Sequence, residues 1–446
     1  MEQRSFKKLF WPTFIELLFF MLMGTIDTLM LSNFSDYAVG SVGNANTLIQ
    51  LFAVLFLVIS NGVAVLVSQY LGAKQEKMAL RVVGTGLMIN ILVGVVLSTI
   101  LVLSSDVLLN LVNTKPEIFT DSKTYLQMIS LSLIFVAASN VMTATLRSYQ
   151  YPKFITYVVI TANVLNVIGN YALIYGHFGL PRLGVYGAAL STLIVRGLMM
   201  LAYAFLITKL IKFKLSDLKL DKSQGKQILK IGLPSALESW TYTIMQAVIL
   251  SMINGLGSNF TIARTYINTV FAYIYIFSLA FASANAVLTG FNVGRRNYDK
   301  AYHDTMKIAR TSFIIVTFVT LVLNLFSKSI FGIFTDNQEI LNIATKVLWL
   351  AIPLEFGRSL NLIIIQALRA ASDTTIPLVM ALLSMIGIAI PFAYFFGIYL
   401  GLGLFGIYIA YAMDEVLRGS VMLYRWISKK WTNKTEYIDQ MAMKNI

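Results

Sequence analysis

The sequence of 446 residues has no cysteine, only two histidines, and few charged residues, which make up 13% of the chain. The lack of cysteine excludes a disulfide framework and thiol chemistry. His177 and His303 fall in predicted loops, and neither belongs to a cluster with the spacing of metal ligands. We therefore expect no metal site and no cofactor. A soluble domain contains about 25% charged residues, so a chain with 57% hydrophobic residues and half that charge is expected to face lipid.

Twelve stretches of the sequence are apolar enough to cross a membrane, which requires about 20 such residues. They are approximately residues 9–32, 44–71, 83–104, 124–146, 155–176, 184–208, 229–254, 266–290, 308–329, 343–368, 376–398 and 402–426. The first contains Glu16 and Asp27 and lacks a small-residue cleavage site, so we interpret it as a permanent helix and not as a signal peptide. The prediction is an all-α polytopic membrane protein with twelve transmembrane helices.

Lysine and arginine are distributed unevenly between the loops on the two sides of the membrane. Most of the 35 basic residues fall on the side of the N-terminus, and the loops of the opposite side contain only Lys115, Lys123, Arg182, Arg264, Lys328 and Lys346. Because cytoplasmic loops are enriched in lysine and arginine, we predict a protein of the bacterial inner membrane with both termini in the cytoplasm. The formal net charge of +14 then reflects orientation, and we expect no binding to nucleic acid.

The chain contains an internal repeat. PTFIE at 12–16 recurs as PSALE at 234–238, AVLVSQYLGAK at 64–74 as AVLTGFNVGRR at 286–296, and Leu-Arg at 146–147 recurs at 368–369, always 222 residues apart. Six helices per half make both halves enter the membrane in the same sense, which predicts two six-helix bundles related by a pseudo-two-fold axis along the membrane normal. The predicted domains are an N-terminal bundle (1–208), a basic cytoplasmic linker (209–228), a C-terminal bundle (229–426) and a cytoplasmic tail (427–446).

Charged residues inside the predicted helices are candidates for function, because a charge at a helix centre costs about 2.5–3.5 kcal/mol on insertion scales. Asp27, Glu16 and Glu238 have no basic residue within one turn of their own helix. An unpaired carboxylate in a medium of low dielectric constant tends to take up a proton. Such a group can alternately hold and release a proton or a cation, as a cation-coupled transporter requires.

Other membrane charges can pair along their own helices. Glu355 and Arg358 are three residues apart, and Asp414 and Glu415 are four and three residues from Arg418, spacings that bring side chains together on a helix. For the last three residues we favour structural ion pairs. For Glu355, an ion pair and a position facing a cavity remain alternatives.

Two further polar features lie on the fifth and sixth predicted helices. Asn163, Asn166 and Asn170 recur at spacings of three and four and share one helix face. They can contribute to a cation site or form hydrogen bonds between helices. Arg196 has no partner on its own helix and could neutralise an acid elsewhere in the bundle.

Several motifs resemble those of the multidrug and toxic compound extrusion (MATE) transporters, and are most similar to the bacterial NorM branch. They are GTIDTLMLS in the first helix, VLVSQYLGAK ending the second, NVIGNYALIYGHFGLPRLGVYGAAL through the fifth and sixth, IGLPSALE opening the seventh, and ALRAASDTTIP after the tenth. The resemblance spans nearly the whole chain. It implies two bundles around a central cavity and export of cationic or amphipathic compounds driven by sodium ions or protons.

The resemblance also implies site residues. Asp27 matches the acid of the family's first helix, and Asn166, Asn170 and Thr192 match positions of the same cation site, although some relatives have aspartate at the position of Asn170. Glu238 and Glu355 lie about one turn from the family's acidic positions, one of which Arg358 occupies, so we assign them by analogy of place. The implied coupling residues are Asp27, Asn166, Asn170, Thr192, Glu238 and Glu355, with Glu16, Arg196 and Arg358 as secondary candidates in the cavity.

The predicted function is an antiporter of organic compounds, coupled to Na⁺ or H⁺ and working by alternating access. The expected partners are the lipid bilayer and small organic cations, and we expect a monomer. The alternative is a flippase for a lipid-linked saccharide, which would favour a basic cavity, whereas acids outnumber bases inside the predicted helices. An enzyme is disfavoured because no cluster of reactive groups is apparent, and an ATP-driven pump because no GxxxxGK[ST] motif occurs.

Overall fold

The computed structural model describes residues 5–112 and 114–434, and this part of the chain is helical and contains no β-strand. We number the twelve long helices α1 (Phe6–Ser32), α2 (Asp36–Gly72), α3 (Glu76–Leu103), α4 (Pro116–Ser148), α5 (Pro152–Tyr175), α6 (Gly184–Ile211), α7 (Lys222–Leu256), α8 (Ser258–Gly294), α9 (Tyr298–Leu325), α10 (Ala351–Ala370), α11 (Thr375–Tyr399) and α12 (Gly403–Ile427). Three short helices lie in the connections, at Ser105–Leu111, Ser327–Gly332 and Gln338–Leu348.

Ten of the long helices have the length and apolar composition of a membrane span. The other two, α7 and α12, have 35 and 25 residues and are therefore long enough to cross the bilayer. They are more polar, since α12 contains Asp414, Glu415 and Arg418 within two turns and α7 contains Glu238 followed by several hydroxyl side chains. The protein is an all-α, multi-pass membrane protein with twelve long helices, as predicted.

The internal repeat extends to the backbone geometry of the turns. The turn that follows α2 places Lys74 at φ 61°, and the turn that follows α8 places Arg296 at φ 61°. The same correspondence relates Gln150 after α4 (φ 63°) to Ser372 after α10 (φ 65°). Residues other than glycine rarely adopt positive φ, so two pairs at a spacing of 222 indicate that the halves share one chain path.

The chain forms two compact units, one comprising Lys7–Leu233 and the other beginning at Pro234 and including Phe6. Within the first unit, Thr85 of α3 fixes the connection that precedes α7, because its Oγ1 donates to the carbonyl oxygen of Lys219 at 3.0 Å and accepts from the amide of Asp221 at 3.2 Å. Helix α6 continues to Ile211 and α7 begins at Lys222. The helices therefore extend into the predicted linker, and the predicted domain boundaries stay a prediction.

Corresponding helices lie at the centre of each unit. In the first, Leu126, Ile129 and Leu133 of α4 are buried in one apolar cluster with Leu97 of α3 and Phe56 of α2. In the second, α10 takes this place, in a cluster with α8 and α12. The periphery exposes large apolar side chains such as Leu92 and Phe318, as expected of surfaces in contact with lipid.

The two histidines lie in different kinds of structure. His177 lies in the loop after α5, as predicted, and its ring stacks on Tyr171 with centroids 4.2 Å apart. The prediction of a loop at His303 was wrong, because α9 begins at Tyr298 and includes it. The first turns of α9 are polar, so hydropathy alone placed the start of this helix too late.

Candidate cation-coupling site

The four predicted coupling residues of the N-terminal half meet in one hydrogen-bond network. Asn170 Nδ2 of α5 donates to Asp27 Oδ1 of α1 at 2.6 Å and to Asn166 Oδ1 at 3.3 Å. Asn166 Nδ2 in turn donates to Thr192 Oγ1 of α6 at 3.4 Å. The network therefore joins three helices and ends at a partly buried carboxylate.

Helix α1 is held against α5 by one hydrogen bond on each side of Asp27. Thr156 Oγ1 donates to the carbonyl oxygen of Pro12 at 2.7 Å, and the Tyr175 hydroxyl donates to the carbonyl oxygen of Met30 at 2.6 Å. The two bonds lie near opposite ends of α1. They fix the helix at both ends and present the Asp27 carboxylate to the amide of α5.

The close packing of α5 and α6 explains why Asn166 and Asn170 reach both neighbours. Their spacing of four places both amides on one face of α5. Gly169 lies between them, and a Cβ atom there would be 2.5 Å from Ser191 Oγ. Ser191 also donates to the carbonyl oxygen of Asn166 at 3.3 Å. Sequence reasoning missed this serine, and the only local signal was its position next to Thr192.

The network contains an oxygen that is free to bind a ligand. Asn170 Oδ1 is buried and has no hydrogen-bond partner, which is uncommon for a buried polar atom. Together with the Asp27 carboxylate it offers oxygen atoms of the kind that hard cations prefer. No group of three or more His, Asp or Glu side chains within residues 5–112 and 114–434 is arranged to hold a metal ion. The arrangement suits a proton or a monovalent cation.

The predicted amide stripe of α5 divides in the structure. Asn163 Nδ2 donates to the carbonyl oxygen of Val159, one turn earlier on its own helix, at 2.8 Å. It therefore takes no part in the printed contacts between Asp27 and α6. Only Asn166 and Asn170 connect the helices.

The predicted cross-bundle partner of Arg196 is a hydroxyl group. Its Nη1 donates to Ser132 Oγ of α4 at 2.7 Å, and no carboxylate of the described residues lies within ion-pair distance of it. Arg196 is still close enough to interact electrostatically with Asp27 and Tyr125. It contributes a positive charge near the coupling site without neutralising the acid by direct contact.

The C-terminal half contains an ion-pair network, which we call the α10–α12 network. Its members are Glu355, Arg358, Asp414, Glu415 and Arg418. The pairs predicted along each helix are confirmed, with Arg358 bound to Glu355 and Arg418 to both acids of α12 at 2.7 and 3.0 Å.

Two contacts that sequence reasoning did not predict connect α10 to α12. Arg358 Nε lies 3.7 Å from Glu415 Oε1, and Asn361 Nδ2 donates to Glu415 Oε2 at 3.0 Å. Glycine permits this approach, because a Cβ atom on Gly357 would be 2.4 Å from the amide nitrogen of Val416. The close contact of the two helices joins two local groups of charges into one network.

Glu16 and Glu238 have arginine partners on other helices. Arg147 of α4 binds Glu16 of α1, with Nη2 2.7 Å from Oε1, and Arg369 of α10 binds Glu238 of α7. Each acid lies four residues after a proline and 131 residues before its arginine. The absence of a base on the same helix was correct, but the two carboxylates are paired through tertiary contacts. Both the acids and the arginines follow the 222-residue repeat, a signal that could have identified these pairs.

Comparison with known proteins reproduces the division into halves. A family model described as MatE matches residues 12–172 and 234–395, one copy in each half. The uncharacterized transporter YisQ of Bacillus subtilis is 36% identical over 433 residues, which cover 96% of this chain and 95% of that protein. The probable multidrug resistance protein NorM of Thermotoga maritima is 27% identical over 96% of this chain and 92% of its own length.

Solved structures show the same fold. A crystal structure described as MATE in the bent conformation superposes with a TM-score of 0.88 at 19% identity and covers 97% of this chain and 96% of its own. An outward-facing multidrug resistance MATE family transporter of the MOP superfamily gives a TM-score of 0.85 at 20% identity over 95% and 96% of the two chains. At these identities the likeness concerns the fold alone.

Proposed function

The chain belongs to the MatE family of membrane transporters, and on that basis we propose that it is an antiporter that exports cationic or amphipathic organic compounds in exchange for Na⁺ or H⁺. The observation that carries this proposal is the hydrogen-bond network between Asp27, Asn170, Asn166 and Thr192. It offers a carboxylate without a direct basic partner to an ion that enters the bundle. The relatives named multidrug resistance proteins support organic compounds as the cargo.

Binding at Asp27 would act on the contact between α1 and α5. A hydrogen bond to an ionised group contributes about 1.5–3 kcal/mol, and the bond from Asn170 is of this kind when Asp27 is charged. A proton or cation on the carboxylate changes the strength of that bond. A ligand shifts a conformational equilibrium only by its different affinity for the two states, and this contact provides such a difference for alternating access.

Glu238 and Glu355 remain proposed contributors in the C-terminal half. Each holds an arginine, so a cation can reach either carboxylate only if the ion pair opens. Asp27 has amide partners and needs no such exchange. We therefore propose Asp27 as the principal coupling residue, and Glu16, Arg196 and Arg358 as residues that adjust the local charge.

The alternative of a lipid-linked saccharide flippase requires basic groups that can bind a pyrophosphate. Arg358 and Arg418, the two arginines of the α10–α12 network, are both bound to carboxylates. Arg196 contacts a serine. The partners of these arginines favour cationic cargo over a pyrophosphate.

Transport by the purified protein in proteoliposomes tests the proposal. We expect cationic dyes such as ethidium to be accumulated when a sodium or proton gradient is imposed separately, because coupling links cargo to one ion. Ionophores should abolish accumulation and ATP should have no effect. Asn170→Ala should impair coupling, while the matched control Asn163→Ala, on the same helix but outside the network, should transport normally. Accumulation that needs ATP and ignores both gradients would refute the proposal.

Membrane orientation is part of the proposal, with both termini in the cytoplasm of a bacterial cell. The sequence has no cysteine, so single cysteines label without background. Lys219→Cys in the connection before α7 and Asn259→Cys at the start of α8 should react with an impermeant maleimide from opposite sides. Labelling of both from one side would contradict the twelve-span topology.

A further inference from the structure

The α10–α12 network contains more acids than bases. Glu355, Asp414 and Glu415 are three carboxylates, and Arg358 and Arg418 are two guanidinium groups. Three of the five have relative exposures of 4% or less, and Glu415 is 7% exposed. A buried ionised group that lacks a counterion is strongly disfavoured. With all five groups ionised, the network would hold one uncompensated negative charge inside the membrane.

Several oxygen atoms of the network have no partner. Glu355 Oε2 and Asp414 Oδ1 are buried without a hydrogen bond, although the second oxygen of each carboxylate binds an arginine. Asn361, whose Nδ2 donates to Glu415, also has an unpartnered and buried Oδ1. Buried carboxylate oxygens that accept no hydrogen bond provide positions at which a proton can reside.

The neighbouring helices do not supply the missing positive charge. Tyr242 of α7 and Tyr275 of α8 face Arg358, and both phenols are neutral near pH 7. Glu238 of α7 acts on Arg418 but is itself paired with Arg369. Helix α9 contributes the uncharged contact between Ser312 and Ser359 of α10, at 2.8 Å.

We propose that the α10–α12 network is a proton-binding site that holds one exchangeable proton. The proton comes from the aqueous phase and resides on a carboxylate, which makes the network neutral, and no other bond forms or breaks. Glu355 is the preferred carrier, because its free Oε2 is at the end of the network and only Arg358 binds its other oxygen. The role of this proton in export rests on the proposed function, whereas its binding does not.

Infrared difference spectroscopy of the protein in lipid films tests the proposal directly, through the C=O stretch of protonated carboxyl groups. Near neutral pH exposed carboxyl groups are ionised, so the band reports buried acids. Glu355→Gln, Asp414→Asn and Glu415→Gln should each abolish the band of the network, because each leaves two acids and two bases. Arg358→Gln should double it, because it leaves three acids and one base. Asp27→Asn is the matched control and should leave the band of the network intact.

The result depends on the number of charges and not on one residue, so a variant that fails to fold does not prevent the test. Persistence of the band in every folded acid variant, or its absence from the wild type, would overturn the proposal. Loss of the band when sodium replaces choline at constant ionic strength would also overturn it, since the site would then bind a metal cation. Failure of dye export with an unchanged band would refute the proposed function and leave the proton site standing.

Discussion

The two halves of the protein share a chain path but differ in the chemistry of their ion sites. In the N-terminal half one carboxylate meets amides and a hydroxyl group, whereas in the C-terminal half three carboxylates meet two guanidinium groups. At the spacing of 222 residues, Asp27 corresponds to the buried Ile249 and Glu355 to the buried Leu133. The repeat therefore determines where helices and turns lie, and individual side chains determine which half binds an ion and by what means.

The Glu–Arg pairs show the opposite behaviour. Glu16 with Arg147 and Glu238 with Arg369 occur in both halves at the same separation. Each pair joins a proline-containing helix to the central helix of its unit. An element that appears twice with the same geometry is expected to support the fold, while elements that differ between halves are expected to carry the specific chemistry.

The largest effect that tests this contrast is expected from Asp27→Asn. The substitution keeps the size of the side chain and removes the charge on which coupling depends. Gradient-driven export should fall by roughly 100-fold, since a hydrogen bond to a charged group contributes up to about 3 kcal/mol and each 1.4 kcal/mol is about tenfold. Initial rates of dye accumulation in proteoliposomes measure it.

The matched substitution for Asp27→Asn is Glu415→Gln, in the other half. It removes an acid that binds Arg358, Arg418 and Asn361, so it should reduce expression or thermal stability more than coupling. If Asp27→Asn still accumulates dye at near wild-type rates, Asp27 is a packing residue and the contrast between the halves fails.

A smaller group of effects should distinguish the two central arginines. Arg418→Met leaves Asp414 and Glu415 without their main counterion, and breaking a buried ion pair by removing one partner costs about 3–5 kcal/mol. Arg196→Met removes only a hydrogen bond to Ser132, which contributes about 1 kcal/mol. Thermal unfolding in detergent should therefore show a clearly larger decrease in Tm for Arg418→Met. Equal decreases would mean that the α10–α12 network is not a cooperative unit.

The smallest effect is expected from the repeated ion pairs. Double-mutant cycles with Glu16→Gln and Arg147→Gln, and with Glu238→Gln and Arg369→Gln, should give coupling energies of about 1–2 kcal/mol, between those of exposed and buried pairs. The side chains of the four residues are 13–26% exposed, so the two cycles should agree within about 0.5 kcal/mol. A coupling energy in one half alone would show that the two pairs serve different purposes.

Much of the N-terminal site could be predicted, and less of the C-terminal one. Asp27, Asn166, Asn170 and Thr192 were identified from motifs, and the structure brings all four together. Asn163 has the same spacing but bonds within its own helix, because helix periodicity specifies a face and not the neighbour that the face meets. The contribution of Asn361 to the α10–α12 network had no local signal.

The sequence by itself determined the membrane spans, the internal repeat and the ion pairs within α10 and within α12. These features depend on hydropathy and on the helical period, which are properties of neighbouring residues. Only the tertiary structure decided the partners of Glu16 and Glu238, 131 residues away, and the joining of α10 to α12. Such contacts depend on how closely two helices approach and how each is rotated, and glycines such as Gly357 and Gly169 set that distance only once their neighbours are in place.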